Sequence, residues 1–111
     1  MIKTFLIFSA LICLSFLATN AFAMDLTYGM RRQADSQFRI AEKAYRKAIR
    51  EYGDSMEGLP EKERLKACRK MSSALHDNRT QFNMEDTFGQ MKYKEQVEKL
   101  EGYSTAFGCP D

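Results

Sequence analysis

The chain has 111 residues, 17 Lys and Arg against 15 Asp and Glu, and a hydrophobic fraction of 44%. This length allows one domain but not two once an N-terminal leader is set aside. The formal charge of +2 gives no reason to expect a nucleic-acid partner, because such partners select strongly basic surfaces.

The N-terminal segment has the three-part layout of a secretory signal peptide. Lys3 supplies the positive start, an apolar run extends from Phe5 to Ala18, and Ala21-Phe22-Ala23 is an A-x-A cleavage site. A membrane span needs about 20 apolar residues, so an uncleaved anchor is the less favoured alternative. We expect residues 1–23 to be removed, which leaves no transmembrane segment.

The remainder, Met24–Asp111, is expected to be a single helical domain in the periplasm or outside the cell. Cys13 leaves with the signal peptide, and its position inside the apolar run argues against a lipid-modified cysteine. Two cysteines remain, Cys68 and Cys109. An even count in a small exported domain is typical of a disulfide, which would stabilise the fold by about 4 kcal/mol. Two free thiols are the alternative.

Helical periodicity dominates this remainder, which predicts an all-α fold, a small three-helix bundle with a C-terminal tail joined by one disulfide. The first helix is expected over Arg31–Tyr52, because apolar residues recur at spacings of three and four. They are Ala34, Phe38, Ala41, Tyr45, Ala48 and Tyr52, with Ile49 beside them. Gly53-Asp54 is expected to end this helix.

A second helix is expected from Pro60 to about Asn78, since proline favours the first helical position. Asn78–Asn83 is interpreted as a polar break, after which Asn83 caps a third helix that ends at Gly102. The apolar residues expected to point inward from this third helix are Met84, Phe88, Met91, Val97 and Leu100.

The cysteines require the last two helices to form a hairpin. If Pro60–Gly102 were one helix, Cys68 and the chain near Cys109 would lie about 50–60 Å apart, whereas a disulfide needs Cα atoms within about 7 Å. An antiparallel hairpin brings Gly102 beside the start of the second helix, and the tail Tyr103–Asp111 then reaches Cys68.

A basic stripe lies opposite the apolar stripe of the first helix. Its members are Arg32, Arg39, Lys43, Arg46 and Arg50. A solvated face is one interpretation. The other is a docking surface for another protein or an anionic envelope component. Ile40 also points away from the apolar stripe and either packs on another helix or belongs to that surface. Arg39, Ile40, Lys43, Arg46 and Arg50 are therefore the candidate partner-binding residues.

Other residue groups favour structural roles. His76 is the only histidine and Asp77 beside it does not share its helix face. Most carboxylates lie in helix first turns or beside lysines, and the methionines suit a packed core. We therefore expect no catalytic residue, no metal ligand and no cofactor. Asn78-Arg79-Thr80 matches a glycosylation sequon, which is interpreted as a coincidence.

One stretch of the chain is similar to a known family. Ala41–Ile49 (AEKAYRKAI) followed by Glu63–Asp77 (ERLKACRKMSSALHD) resembles the LprI-type lysozyme-inhibitor domain, whose second helix carries an L-K-A-x-x-R-x-W pattern. Residues 65–67 follow this pattern, whereas Lys70 replaces its Arg, Ser72 replaces its Trp, and the cysteine plan differs. The resemblance implies an exported protein that binds and blocks a cell-wall hydrolase.

Together these features predict an exported binding protein rather than an enzyme. An inhibitor or immunity-type protein directed against a cell-envelope enzyme is the favoured hypothesis. A periplasmic chaperone or an envelope assembly subunit is the alternative.

Overall fold

Three helices make up most of the described chain. The computed structural model describes residues 28–110, so the expected signal peptide, with Cys13 and the cleavage site, lies outside the described residues. Helix α1 covers residues 28–52, α2 covers Glu61–Met84 and α3 covers Thr87–Ala106, with no strand in this part of the chain. Arg31–Asp111 forms one compact unit. The predicted all-α three-helix fold is confirmed.

Helix α1 has the predicted apolar stripe. Ala34, Ala41 and Ala48 are buried, and the larger side chains between them are half-buried. Small residues at every seventh position let a neighbouring helix approach closely, because they leave the backbone uncovered. The helix ends as expected at Gly53, whose φ of 79° lies in the left-handed region that glycine adopts without strain.

Helix α2 continues beyond the predicted polar break, so that prediction is wrong. Asn78 and Gln81 are buried in its second half, where their amides form hydrogen bonds with other side chains and with the backbone. Asn78 therefore does not end the helix, because its side chain finds hydrogen-bond partners inside the bundle. Gln81 donates to Glu85, whereas its buried Oε1 atom has no partner among the described residues. The chain turns instead at Glu85 and Asp86, between α2 and α3.

The start and end of α3 also differ from the prediction. Asp86, not Asn83, is the N-cap, and its carboxylate accepts a hydrogen bond from the Gly89 backbone N–H at 3.1 Å. The helix continues through Gly102 to Ala106. Gly102 does not have the positive φ that often ends a helix at a glycine. A glycine ends a helix mainly when its backbone adopts the left-handed conformation, so a glycine with helical backbone angles lets the helix continue.

Three apolar residues that were predicted to point inward from the third helix are exposed instead, and one of them, Met84, belongs to α2. Met84, Phe88 and Met91 are 50%, 85% and 67% exposed. The buried residues of α3 are Tyr93 and Leu100, and Val97 is half-buried. The prediction for Leu100 is confirmed, whereas Phe88 and Met91 lie on a different stripe of the helix from the buried pair Tyr93 and Leu100.

The predicted disulfide joins Cys68 of α2 to Cys109 in the tail, with their Cα atoms 5.5 Å apart. The hairpin that this bridge requires is present, and Phe107 packs beneath the tail at 3% exposure. The main apolar core lies in this half of the bundle. It consists of Ala41, Ala48, Met56, Ala67, Met71, Ala74, Leu100 and Phe107. No helix among residues 28–110 is long and apolar enough to cross a membrane.

Candidate functional site

The basic side chains of α1 form one exposed face. Arg39, Lys43, Arg46 and Arg50 follow one another at spacings of four, three and four residues, which places them on the same side of a helix. All four are exposed, and they line a shallow cleft of about 560 Å³ together with Glu42 and Ile49. The structure therefore brings the four predicted cationic residues together.

Most of this positive charge is not neutralised within the described chain. Arg46 pairs with Glu42 at 3.2 Å, one helical turn away. Arg39, Lys43 and Arg50 have no carboxylate partner among residues 28–110. The face therefore offers several guanidinium and ammonium groups to an anionic surface.

Glu42 is held in place from beneath the face. The Tyr103 hydroxyl of α3 donates a hydrogen bond to the Glu42 carboxylate at 3.0 Å, and its ring stacks on Tyr45 with centroids 4.2 Å apart. Burial, together with this hydrogen bond, raises the pKa of Tyr103 to about 12. Glu42 thus links the cationic face to α3 and orients Arg46.

Two isoleucines of α1 have different positions relative to this face. Ile40 is 43% exposed, as the sequence predicts, but it does not line the cleft. Ile49, which the sequence analysis added to the apolar stripe, is half-buried and does line it. The periodic pattern gave Ile49 only a core role because its position lies at the border between the two stripes.

Amide side chains join all three helices at mid-bundle. Asn78 of α2 donates from Nδ2 to the Ala34 carbonyl of α1 at 3.1 Å and to the Ala74 carbonyl at 2.8 Å. It also accepts a hydrogen bond from Gln96 Nε2 of α3 at 2.6 Å. Asn78 is 0% exposed, so the folded protein does not present this sequon residue at its surface.

A second polar group closes the bundle beside the α2–α3 turn. Glu85 is 9% exposed and accepts hydrogen bonds from Arg31 at 2.5 and 2.9 Å and from Gln81 Nε2 at 2.6 Å. The bond from Arg31 is the main reason that the pKa of Glu85 lies below its usual range. A Cβ atom on Gly89 would lie 2.8 Å from the Glu85 Cβ atom, so glycine leaves the space that this carboxylate needs.

His76 is exposed on α2. It lines a cleft of about 840 Å³ between α2 and α3, together with Arg69, Arg79 and the two bridged cysteines. The sequence does not reveal this cleft, because its shape depends on α2 continuing past Asn78 and on α3 continuing past Gly102.

Comparison with family models, with curated proteins and with solved structures finds no match for this chain.

Proposed function

We propose that this chain is an exported binding protein that uses the cationic face of α1 to block a cell-envelope enzyme. The observation that carries the proposal is the exposed group of Arg39, Lys43, Arg46 and Arg50, in which Glu42 alone offsets the charge among the described residues. Like charges on adjacent helical turns repel weakly, so this arrangement contributes nothing to folding and suits an acidic partner.

Export is supported by two features. The N-terminal segment of the sequence has the layout of a signal peptide, and the fold contains the Cys68–Cys109 bridge. Disulfides persist in the periplasm and outside the cell, whereas the cytosol keeps thiols reduced.

A binding role is supported by the way the described titratable groups are used. The low pKa of Glu85 follows from its bond to Arg31, and the high pKa values of Tyr93 and Tyr103 follow mainly from burial. The low pKa of Glu61 follows from its hydrogen bond to Arg64. Each of these shifts has a partner or a packing site within the bundle, as in a structural network rather than a reactive centre.

The target class that we propose is a cell-wall glycoside hydrolase. These enzymes place two carboxyl groups in an open cleft, and a rigid helix bearing several cations is complementary to that charge. The resemblance of α1 and α2 to the LprI-type lysozyme-inhibitor domain favours the same target class.

The test uses lysozyme as the hydrolase, with binding followed by calorimetry and inhibition by clearing of a cell-wall suspension. We expect stoichiometric inhibition that weakens as salt rises, because exposed charges are screened beyond about 8 Å at physiological ionic strength. Replacing Lys43→Glu together with Arg50→Glu should abolish inhibition, since neither residue has an ion pair to lose within the described chain.

The matched control is Lys62→Glu together with Lys66→Glu, two exposed lysines on α2 that give the same change in net charge. This control should inhibit as the unmodified protein does. Absence of lysozyme binding would contradict the proposed target class, and equal loss in both double variants would show that net charge matters rather than the α1 face.

A further inference from the structure

Helix α2 carries a second stripe at the border of the core, against which its members Cys68 and Leu75 pack. Its members, at spacings of three and four, are Leu65, Cys68, Ser72, Leu75 and Arg79. The core stripe of α2 lies on a different side and contains Ala67, Met71, Ala74 and Asn78. Leu65 is 45% exposed and Leu75 is half-buried, so this second stripe leaves apolar surface uncovered.

This stripe forms one wall of a groove between α2 and α3, here called the α2–α3 groove. Its first part is the cleft of about 840 Å³, whose opposite wall carries Glu101, Ser104 and Thr105. A smaller cleft of about 190 Å³, lined by Phe82 and Val97 among others, shares Arg79 with the first. From Leu65 to Phe82 the groove follows α2 for about 25 Å.

The charged residues along the α2–α3 groove are mostly basic. Arg69 and Arg79 line the larger cleft, and Arg79 and Lys94 line the smaller one. Among the described residues, Glu101 is the only carboxylate that lines either cleft, and it pairs with Arg79 at 3.2 Å. Arg69 and Lys94 have no ion-pair partner among the described residues. An occupant of this groove therefore needs negative charge beside an apolar surface.

We propose that the α2–α3 groove binds an amphipathic acidic helix of a partner protein. A groove between two packed helices matches the ridge of side chains on a third, and its length suits a helix of about 17 residues. The apolar side of that helix packs on Leu65 and Leu75, and its carboxylates reach Arg69 and Lys94 at the edges. Such recognition is known as helix-in-groove binding.

This inference concerns a different surface from the cationic face of α1 and does not depend on the proposed function. The two sites share no lining residue, so each can be removed separately by substitution. A binding protein with two separate surfaces is able to hold one partner while it blocks another.

The test uses two synthetic peptides of about 18 residues, with leucines along one helical face and flanking glutamates in the first peptide or lysines in the second. Amide chemical shifts of the full folded protein are followed during titration. We expect saturable binding of the glutamate peptide, with shifts at the α2–α3 groove, and binding about tenfold weaker or absent for the lysine peptide.

Two variants locate the site. Arg69→Glu with Lys94→Glu should weaken binding of the glutamate peptide by about tenfold or more, without loss of folding because both side chains are exposed. Lys43→Glu with Arg50→Glu should change it by less than about twofold.

The inference is overturned if the glutamate peptide does not bind, if both peptides bind equally, or if the shifts appear on α1. Sodium laurate serves as a third probe. If laurate binds more tightly than the glutamate peptide and shifts the same amides, the natural occupant of the groove is an anionic amphiphile and not a helix. That result would overturn the proposal.

Discussion

Gln96 of α3 donates a hydrogen bond to the Asn78 side chain of α2 at 2.6 Å, and Asn78 donates in turn to the Ala34 carbonyl of α1. One buried amide thus connects the three helices. A buried polar group that keeps all its hydrogen bonds favours a single alignment of its neighbours, because a shifted alignment would leave those groups without partners.

Replacing Asn78→Ala should therefore lower the free energy of unfolding by about 1–3 kcal/mol, since the Ala34 carbonyl and Gln96 each lose a partner. Urea unfolding of Asn78→Ala, Gln96→Ala and the double variant measures the coupling energy between the two side chains. This energy is the difference between the effect of the double variant and the sum of the two single effects. We expect a coupling of about 0.5–3 kcal/mol. Fully additive effects would mean that the two amides act independently.

Two glycines of α3 should respond in opposite ways to the same substitution. At Gly89 a Cβ atom would lie 2.8 Å from the Glu85 Cβ atom, whereas at Gly102 nothing lies within 4 Å. Gly102→Ala should raise the free energy of unfolding by about 0.5–1 kcal/mol, because alanine is the better helix former. Gly89→Ala should lower the free energy of unfolding, because the contact between the added Cβ atom and Glu85 outweighs the same gain in helix propensity. Stabilisation by both substitutions would show that Glu85 moves aside at little cost.

The sequence reveals those parts of the fold that depend on local periodicity or on a single distance. The α1 stripe repeats over three heptads, and a bridge between Cys68 and Cys109 requires a hairpin, so both predictions hold. The position of the turn between α2 and α3 depends instead on contacts between residues that are far apart in the sequence. Asn78 was interpreted as the start of a polar break because its partners, Ala34 and Gln96, are 44 and 18 residues away along the chain and leave no local signal.

The two candidate surfaces also differ in how far the sequence alone can predict them. The cations of α1 lie on one helix, so their spacing alone places them together. The α2–α3 groove has walls from two helices, and its position depends on where the turn lies. The sequence also placed Phe88 inward, although Phe88 and Leu100 lie on different stripes of the helix, so apolar character alone did not identify the buried face.

Phe88→Ala and Leu100→Ala form a matched pair on α3 that tests this corrected orientation. Phe88 is 85% exposed and Leu100 is 0% exposed. We expect Phe88→Ala to change the free energy of unfolding by less than about 0.5 kcal/mol, and Leu100→Ala to lower it by about 2–5 kcal/mol. Chemical denaturation measures both. A large loss from Phe88→Ala would instead support the inward orientation that the sequence favoured.

The disulfide should supply a large part of the stability. Cys68 and Cys109 are separated by 41 residues, and closing a loop of that length stabilises a fold by about 4 kcal/mol in the chain-entropy model. Cys68→Ser and Cys109→Ser should each lower the free energy of unfolding by a similar amount. Addition of a reductant should destabilise the unmodified protein and leave both variants unchanged.

The ion pair of Arg31 and Glu85 should make stability depend on pH in the acid range. Arg31 holds the pKa of Glu85 below its usual range, so the folded state favours the ionised carboxylate. This contribution is complete above the unfolded pKa of about 4.3 and is lost as the pH falls through the lower folded pKa. Glu85→Gln should therefore be less stable than the unmodified protein at pH 7, with a difference that shrinks toward pH 3.

The control for this prediction is Glu98→Gln, which removes one exposed carboxylate that has no ion-pair partner among the described residues. Thermal melting of the three proteins from pH 7 to pH 3 separates a specific effect from a general change in net charge. We expect Glu98→Gln to follow the unmodified protein at each pH. If the Glu85→Gln difference stayed constant down to pH 3, the cause would be the altered packing at the turn rather than the charge of Glu85, because protonation would then remove nothing that the folded state uses.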